Sequence, residues 1–209
     1  KNVVPNEKVR TTSSDADWGN IRHGKSLRLD VIHGLLDLAQ YAKGRILDIG
    51  SNRGDFANWA LGLPDVSKVI CVEPDETIIN EYAVGLDIKL DRIENVDFDE
   101  GEQFDFIYSC QTLEHADSAL DMLTRSRKLM SDDTVMLIDV PSIEVIKKEQ
   151  NLEEFFIDKH KFHFSDNLIK QYFEQVGLGV VFENDDGVNL TYLLKKSEPR
   201  EPQFNGAGP

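Results

Sequence analysis

The chain is short of cysteine, of basic residues and of long apolar runs, and each shortage excludes something. Cys71 and Cys110 are the two cysteines among 209 residues, too few for a disulfide framework and without a metal-ligand spacing. Cys71 lies inside Lys68-Val69-Ile70-Cys71-Val72 and reads as a core thiol; Cys110 follows another apolar run. A reducing, cytoplasmic setting is the simplest expectation. No apolar stretch nears the roughly 20 residues needed to cross a bilayer, so membrane insertion is not expected. No signal peptide is evident, and a start at Lys1 leaves a removed leader or a larger parent protein open. Lys and Arg number 23 against 38 Asp and Glu, a net charge of −15. Such a field repels a phosphate backbone. The one modest basic patch, Arg22-His23-Gly24-Lys25 with Arg28, is too small to reverse it, so nucleic acid is not an expected partner.

What remains is a chain that is 40% hydrophobic, enough to bury the core of one domain. Residues 1–17 are polar, with Pro5 and a Thr-Thr-Ser-Ser run, and residues 1–25 read as an arm that could close over a site with Trp18, Arg22, His23 and Lys25. One domain is expected over 26–196, and 197–209, rich in Pro and Gly, as a disordered tail. The spacing predicts a helix over Ser26–Ala42 closed by Gly44. Strands are expected at Arg45–Ile49, Val69–Val72, Ile88–Leu90, Phe104–Tyr108 and Val135–Val140, and helices at Asp55–Leu61, Glu76–Val84 and Ser118–Met130. A last helix, Asp166–Gln175, is expected to start at Ser165 and end at Gly177. Gly179–Glu183 and Val188–Leu194 then flank an Asp-Gly turn. The fold class is therefore α/β: a doubly wound, mostly parallel sheet of about seven strands, helices on both faces, and a C-terminal antiparallel hairpin.

The first strand runs into Asp48-Ile49-Gly50-Ser51-Asn52-Arg53-Gly54 directly before a helix. Glycine lets the backbone turn tightly or a ligand approach closely, and such a crevice at a strand's carboxyl end suits a nucleotide-type ligand. A dinucleotide fingerprint requires two more glycines, at the places held by Asn52 and Asp55. Asp48 would also lie near a pyrophosphate and suits a cationic amino-acid group better. An NAD-dependent oxidoreductase is thus the weaker reading.

At these residues the chain resembles the class I S-adenosylmethionine-dependent methyltransferases, in the small-molecule branch, whose first motif is an acidic residue, an apolar residue and a Gly-rich loop. Asp48, Gly50 and Gly54 match, with Ser51 inside the loop; Asn52 stands where glycine is commoner. The resemblance continues through Glu73-Pro74, where it implies a carboxylate on the ribose hydroxyls, and through Asp91-Arg92-Ile93, where it implies contacts to adenine. It is most specific at Gln103–His115, an apolar strand ending in Leu113-Glu114-His115, with Cys110 and Gln111 expected in the pocket. It implies S-adenosylmethionine as cofactor, S-adenosylhomocysteine as product, and a small-molecule or glycan acceptor, with a lean to a sugar hydroxyl. The segment Ser142–Phe164 and the N-terminal arm would form the acceptor site.

A neutral acceptor also needs a proton removed, and histidine suits that near neutral pH. His115 and His160 are the candidate catalytic residues, with capping of the following helix or packing beneath the cofactor loop as the alternative for His115. His163 is expected to pack structurally. The His160-x-x-His163 spacing carries no Cys or third His, so no metal is expected. Asp139 on the fifth strand could orient a substrate hydroxyl. A non-enzymatic alternative is an inert cofactor-binding domain serving as a partner module.

Overall fold

The computed structural model describes residues 27–78, 82–144 and 160–200. Seven strands form one sheet: β1 (Gly44–Ile49), β2 (Val66–Val72), β3 (Asp87–Lys89), β4 (Phe104–Cys110), β5 (Met130–Pro141), β6 (Leu178–Asp185) and β7 (Asn189–Lys196). Their order is β3-β2-β1-β4-β5-β7-β6. The first five pair in parallel, and β7 runs antiparallel to both β5 and β6. The helices are α1 (Leu27–Leu35), α2 (Asp55–Leu61), α3 (Ala119–Lys128) and α4 (Asp166–Val176).

Successive strand residues point to opposite faces, and this chain fills both. Leu47, Ile49, Ile107 and Ile138 pack against α3 and α4 through Met122, Leu123, Ile169 and Phe173. Ile46, Phe106 and Leu137, one residue out of phase, pack against α1 and α2 through Ile32, Phe56 and Ala60. Near-continuous apolar strands are what a sheet covered on both faces requires. Ser118 and Ser165 begin α3 and α4 by accepting the amides of Asp121 at 3.2 Å and Leu168 at 3.3 Å.

Two helix expectations need correction. The apolar pattern over Ser26–Ala42 is buried at Ile32, Leu36, Leu38 and Ala42, but α1 stops at Leu35 and a 3-10 turn, Leu38–Gln40, follows. Gly44 does not cap that helix. It opens β1 at φ +62°, where a side chain would collide with Asp105. Over Glu76–Val84, the described residues form turns and irregular chain rather than a helix. There Asp75 Oδ1 accepts from Thr77 N at 3.0 Å and Thr77 Oγ1 at 2.6 Å, a local bond that competes with helix hydrogen bonding. The centre of that stretch, 79–81, lies outside the described residues, as do the arm 1–26 and most of Ser142–Phe164. Ser197 N and Arg200 N donate to Gly177 O and Glu174 O, both at 2.9 Å, so the chain past β7 stays bonded through Arg200. No helix among the described residues is long and apolar enough to cross a membrane.

Helix α1 is tied to the far side of the sheet by one buried group. Asp139 on β5 is fully buried. It accepts from Arg28 Nε at 2.8 Å, Arg28 Nη2 at 2.5 Å, Thr191 Oγ1 at 2.6 Å and Gln111 Nε2 at 2.8 Å. Arg28 Nη1 reaches on to Asp186 in the β6–β7 turn at 2.7 Å. Asp139→Ala should therefore lower the unfolding free energy by about 3 kcal/mol, because it leaves a guanidinium that is only 15% exposed with Asp186 and Thr191 as its remaining partners. Urea denaturation followed by circular dichroism measures this; a loss below about 1 kcal/mol would reduce the pair to an ordinary surface contact.

Candidate active site

The strand order reverses between β1 and β4, so their loops leave in different directions and open a crevice at the carboxyl edge. Gly50 sits at that fork with φ +71°, and a Cβ on it would collide with Thr112. Beyond it, Ser51 Oγ bonds Tyr82 Oη at 2.7 Å, and Tyr82 Oη also lies 2.6 Å from Asn52 O. Asn52 takes φ +49°, a conformation Asn tolerates better than most residues. Its amide donates to Glu73 Oε2 at 2.9 Å, while Asp75 N donates to Glu73 Oε1 at 2.9 Å. Glu73 is thus 7% exposed and clamped by two amides, and each oxygen keeps a lone pair for a further donor.

Across the crevice, Gln111 takes φ +52°. Its amide donates to Asp139 O at 2.8 Å, and its side chain to Asn189 Oδ1 at 3.1 Å besides Asp139. Asp91, just past β3, is exposed and accepts from Arg92 N at 2.7 Å and Asn95 Nδ2 at 2.9 Å, bonds that hold its carboxyl below the usual range. Arg92 Nη1 donates to His115 O at 2.9 Å, which joins the third and fourth loops.

The resulting cavity has a volume of about 440 Å³, the size of a small-molecule site. Gly50, Asn52, Glu73, Pro74, Asp91, Arg92, Gln111 and His115 line it. Asp48, Ser51 and Gly54 do not; they form the loop's underside, with Asp48 only 2% exposed. Cys110 is also outside the lining, and its thiol lies 3.6 Å from Asp139 Oδ1. His160 stands beside His115, ring centroids 4.8 Å apart, and His163 is 6.2 Å from His160. Thr112, Ile78 and Lys161 line the cavity without having been singled out in the sequence. Thr112 sits inside the Gln103–His115 motif, and Lys161 lies between His160 and His163.

The site's electrostatics are those of crowded acids. Burial pushes the Asp48 carboxyl well above its usual range, and repulsion from Glu73 and Asp55 adds to this, partly offset by the Ala57 amide. Burial raises Glu73 as well, against the lowering effect of the Asp75 and Asn52 amides. Glu114 is pushed up to about 8, chiefly by burial. A positively charged ligand relieves this crowding and a pyrophosphate aggravates it.

Against that geometry stand the known proteins. A family model described as a methyltransferase domain matches residues 22–183. An uncharacterized methyltransferase of Staphylococcus carnosus is 26% identical over 167 residues, which is 77% of this chain and 78% of that protein. An S-adenosylmethionine-dependent methyltransferase from Clostridium acetobutylicum superposes with a TM-score of 0.64 at 15% identity, covering 85% of this chain and 94% of its own. DhpI in complex with SAH gives 0.67 at 14% identity, over 93% and 95% of the two chains. The chain belongs to the methyltransferase-domain family and has the Rossmann-like fold of the class I enzymes.

Gly50→Ala tests how tightly the fork is built. It should lower stability by about 1–3 kcal/mol, through the positive φ and the collision with Thr112. Thr112→Gly in the same chain should restore the steric part alone. Urea midpoints of the single and double variants check this, and an unchanged midpoint in Gly50→Ala would show that the loops yield freely.

Proposed function

We propose that the domain spanning residues 26–196 transfers a methyl group from S-adenosylmethionine to a small or medium-sized acceptor, with a sugar or glycan hydroxyl as the favoured class. The observation that carries the donor assignment is the set of buried acids at the crevice. Asp48 and Glu73 lie at the ends of adjacent strands beside Gly50, in a family whose model matches most of the chain. Sulfonium and ammonium are both cations, and they fit where a dinucleotide's phosphates do not.

In this reading Glu73, already clamped by two amides, accepts the ribose hydroxyls. Asp91, Arg92 and Ile93 flank the adenine. Asp48, beneath the loop, draws the amino group towards Gly50. Gln111 and Thr112 border the methyl group at the end of β4, and the acceptor enters beside His115, His160 and Lys161. Transfer is an in-line displacement at carbon, so these residues chiefly orient the partners and exclude water. DhpI, solved as a complex with SAH, supports the donor through the shared fold. The lean to a glycan acceptor rests on the resemblance read in the sequence.

Isothermal titration calorimetry tests the site. Glu73→Ala and Asp48→Ala should each weaken S-adenosylhomocysteine binding by about 1–3 kcal/mol. Normal binding by both, or tight NAD binding with no response to S-adenosylhomocysteine, would overturn the assignment. The pH dependence has a fixed sign. Acids raised in the free protein are partly protonated above the usual carboxylate range, and a bound cation favours their ionised forms. S-adenosylmethionine should therefore release protons on binding and bind more tightly as pH rises above the usual carboxylate range, with a shallower trend for the uncharged thioether of S-adenosylhomocysteine. Affinity that falls as pH rises there would contradict the acidic-floor reading.

A further inference from the structure

The turn that follows β4 and the segment that precedes α4 meet at Glu114. Lys161 N and Phe162 N both donate to Glu114 O, at 2.8 and 3.2 Å, which brings His160 against the Leu113–His115 turn. The His115 and His160 rings stand edge to face, and His115 Nε2 is 3.8 Å from Glu114 Oε1. One ligand atom from each of Glu114, His115 and His160 lies within 4.8 Å of the other two. Glu114 is 1% exposed, yet neither carboxylate oxygen has a hydrogen-bond partner among the described residues.

When ionised, a buried carboxylate needs a counter-charge, and Lys161 and Arg92 do not supply it. Lys161 bonds Asp117, while Arg92 divides between Asp117 at 3.8 Å and the His115 carbonyl. We propose that Glu114, His115 and His160 form a binding site for a divalent first-row transition cation, of the zinc or cobalt type, beside the cavity. Two imidazoles and one carboxylate suit such ions better than magnesium or calcium. Ligands at about 2.1 Å from one ion cannot be more than about 4.2 Å apart, so the widest spacing closes by roughly 0.6 Å or more, a small side-chain adjustment. A net charge of −15 draws cations in. His163 is not a member of the set, so the partner of His160 is His115 and not the neighbour its H-x-x-H spacing suggests.

Three protein ligands leave coordination positions open, and His115 places them at the cavity wall. On the methyl-transfer reading, an acceptor hydroxyl bound there becomes more acidic. Its proton passes to water, its oxygen pair forms the bond to the methyl carbon, and the carbon–sulfur pair stays on sulfur as a neutral thioether. The cation keeps its oxidation state. Ligation commits an imidazole nitrogen of His115 and so replaces a free-base role for it.

Titrating EDTA-treated protein with ZnCl2 by calorimetry, and with CoCl2 by visible absorption, tests the site itself. One equivalent should bind, with the absorption of cobalt on imidazole. Glu114→Gln and His160→Ala should each weaken binding by at least about tenfold, while His163→Ala should change it by less than about twofold. No stoichiometric uptake by the wild type, or wild-type affinity in both ligand variants, overturns the proposal. Unchanged circular dichroism spectra show that the variants are folded. If the cation binds as expected and the wild type ignores S-adenosylhomocysteine, the cation site stands and the methyl-transfer reading fails.

Discussion

The carboxyl edge of this sheet depends on the parallel pairing of β1 with β4, Ile46–Ile49 against Phe106–Ser109. Both strands are buried on both faces, so neither can slip without turning its apolar residues to the wrong layer. The pairing ends where Gly50 passes under Thr112, whose hydroxyl lies 3.2 Å from Ile49 O and 3.0 Å from Cys110 O. Past that point the loops part. On one lip stands Asn52 and on the other Gln111, the two non-glycine residues with positive φ among the described residues. Each conformation costs free energy, and each is offset in part by an amide bond to a neighbouring strand end, Asn52 to Glu73 and Gln111 to Asp139.

The acids along this edge divide into two kinds. Asp139 receives a guanidinium, a hydroxyl and a side-chain amide from three other elements, so the protein supplies the whole of its charge compensation. Asp48 and Glu114 are as deeply buried, yet Asp48 Oδ2 and both Glu114 oxygens lack a hydrogen-bond partner among the described residues. A fully compensated buried acid is a structural joint. An uncompensated one lowers stability unless something from outside completes it. That contrast separates the architectural part of the edge from the part assigned to ligands.

Much of this was legible in the sequence, for local reasons. The strands read out because a doubly covered sheet needs apolar runs, and Asp55–Leu61 read out to the residue because a turn ends just before it. Gly50, Glu73 and Asp91 follow strand ends, so their places at the crevice come with the alternation of elements. Longer-range features were hidden. The apolar spacing through Ala42 is real, but the chain turns through a 3-10 segment to enter β1, and burial alone cannot tell that turn from helix. The Asx bond at Asp75 competes with the helix that composition favours at the described residues Glu76 to Ile78. The meeting of His115 with His160 depends on backbone bonds from Lys161 and Phe162 to Glu114, and no spacing reveals it. The pairing of Arg28 with Asp139 spans 111 residues and is equally invisible.

That last contact also bears on the order in which the chain assembles. Arg28 binds groups 111, 158 and 163 residues further on, so its partners include the strands made last. On a ribosome, α1 emerges before every strand of the described sheet. Its apolar face can begin to pack once β1 and β2 are present, but its guanidinium has no acceptor until β5, β7 and the hairpin turn have formed. Such non-local closure is slow because the loop must be ordered before the contact rewards it. Full docking of α1 therefore depends on the C-terminal hairpin of the sheet, and through Asp139 the same contact helps hold Gln111 at the crevice.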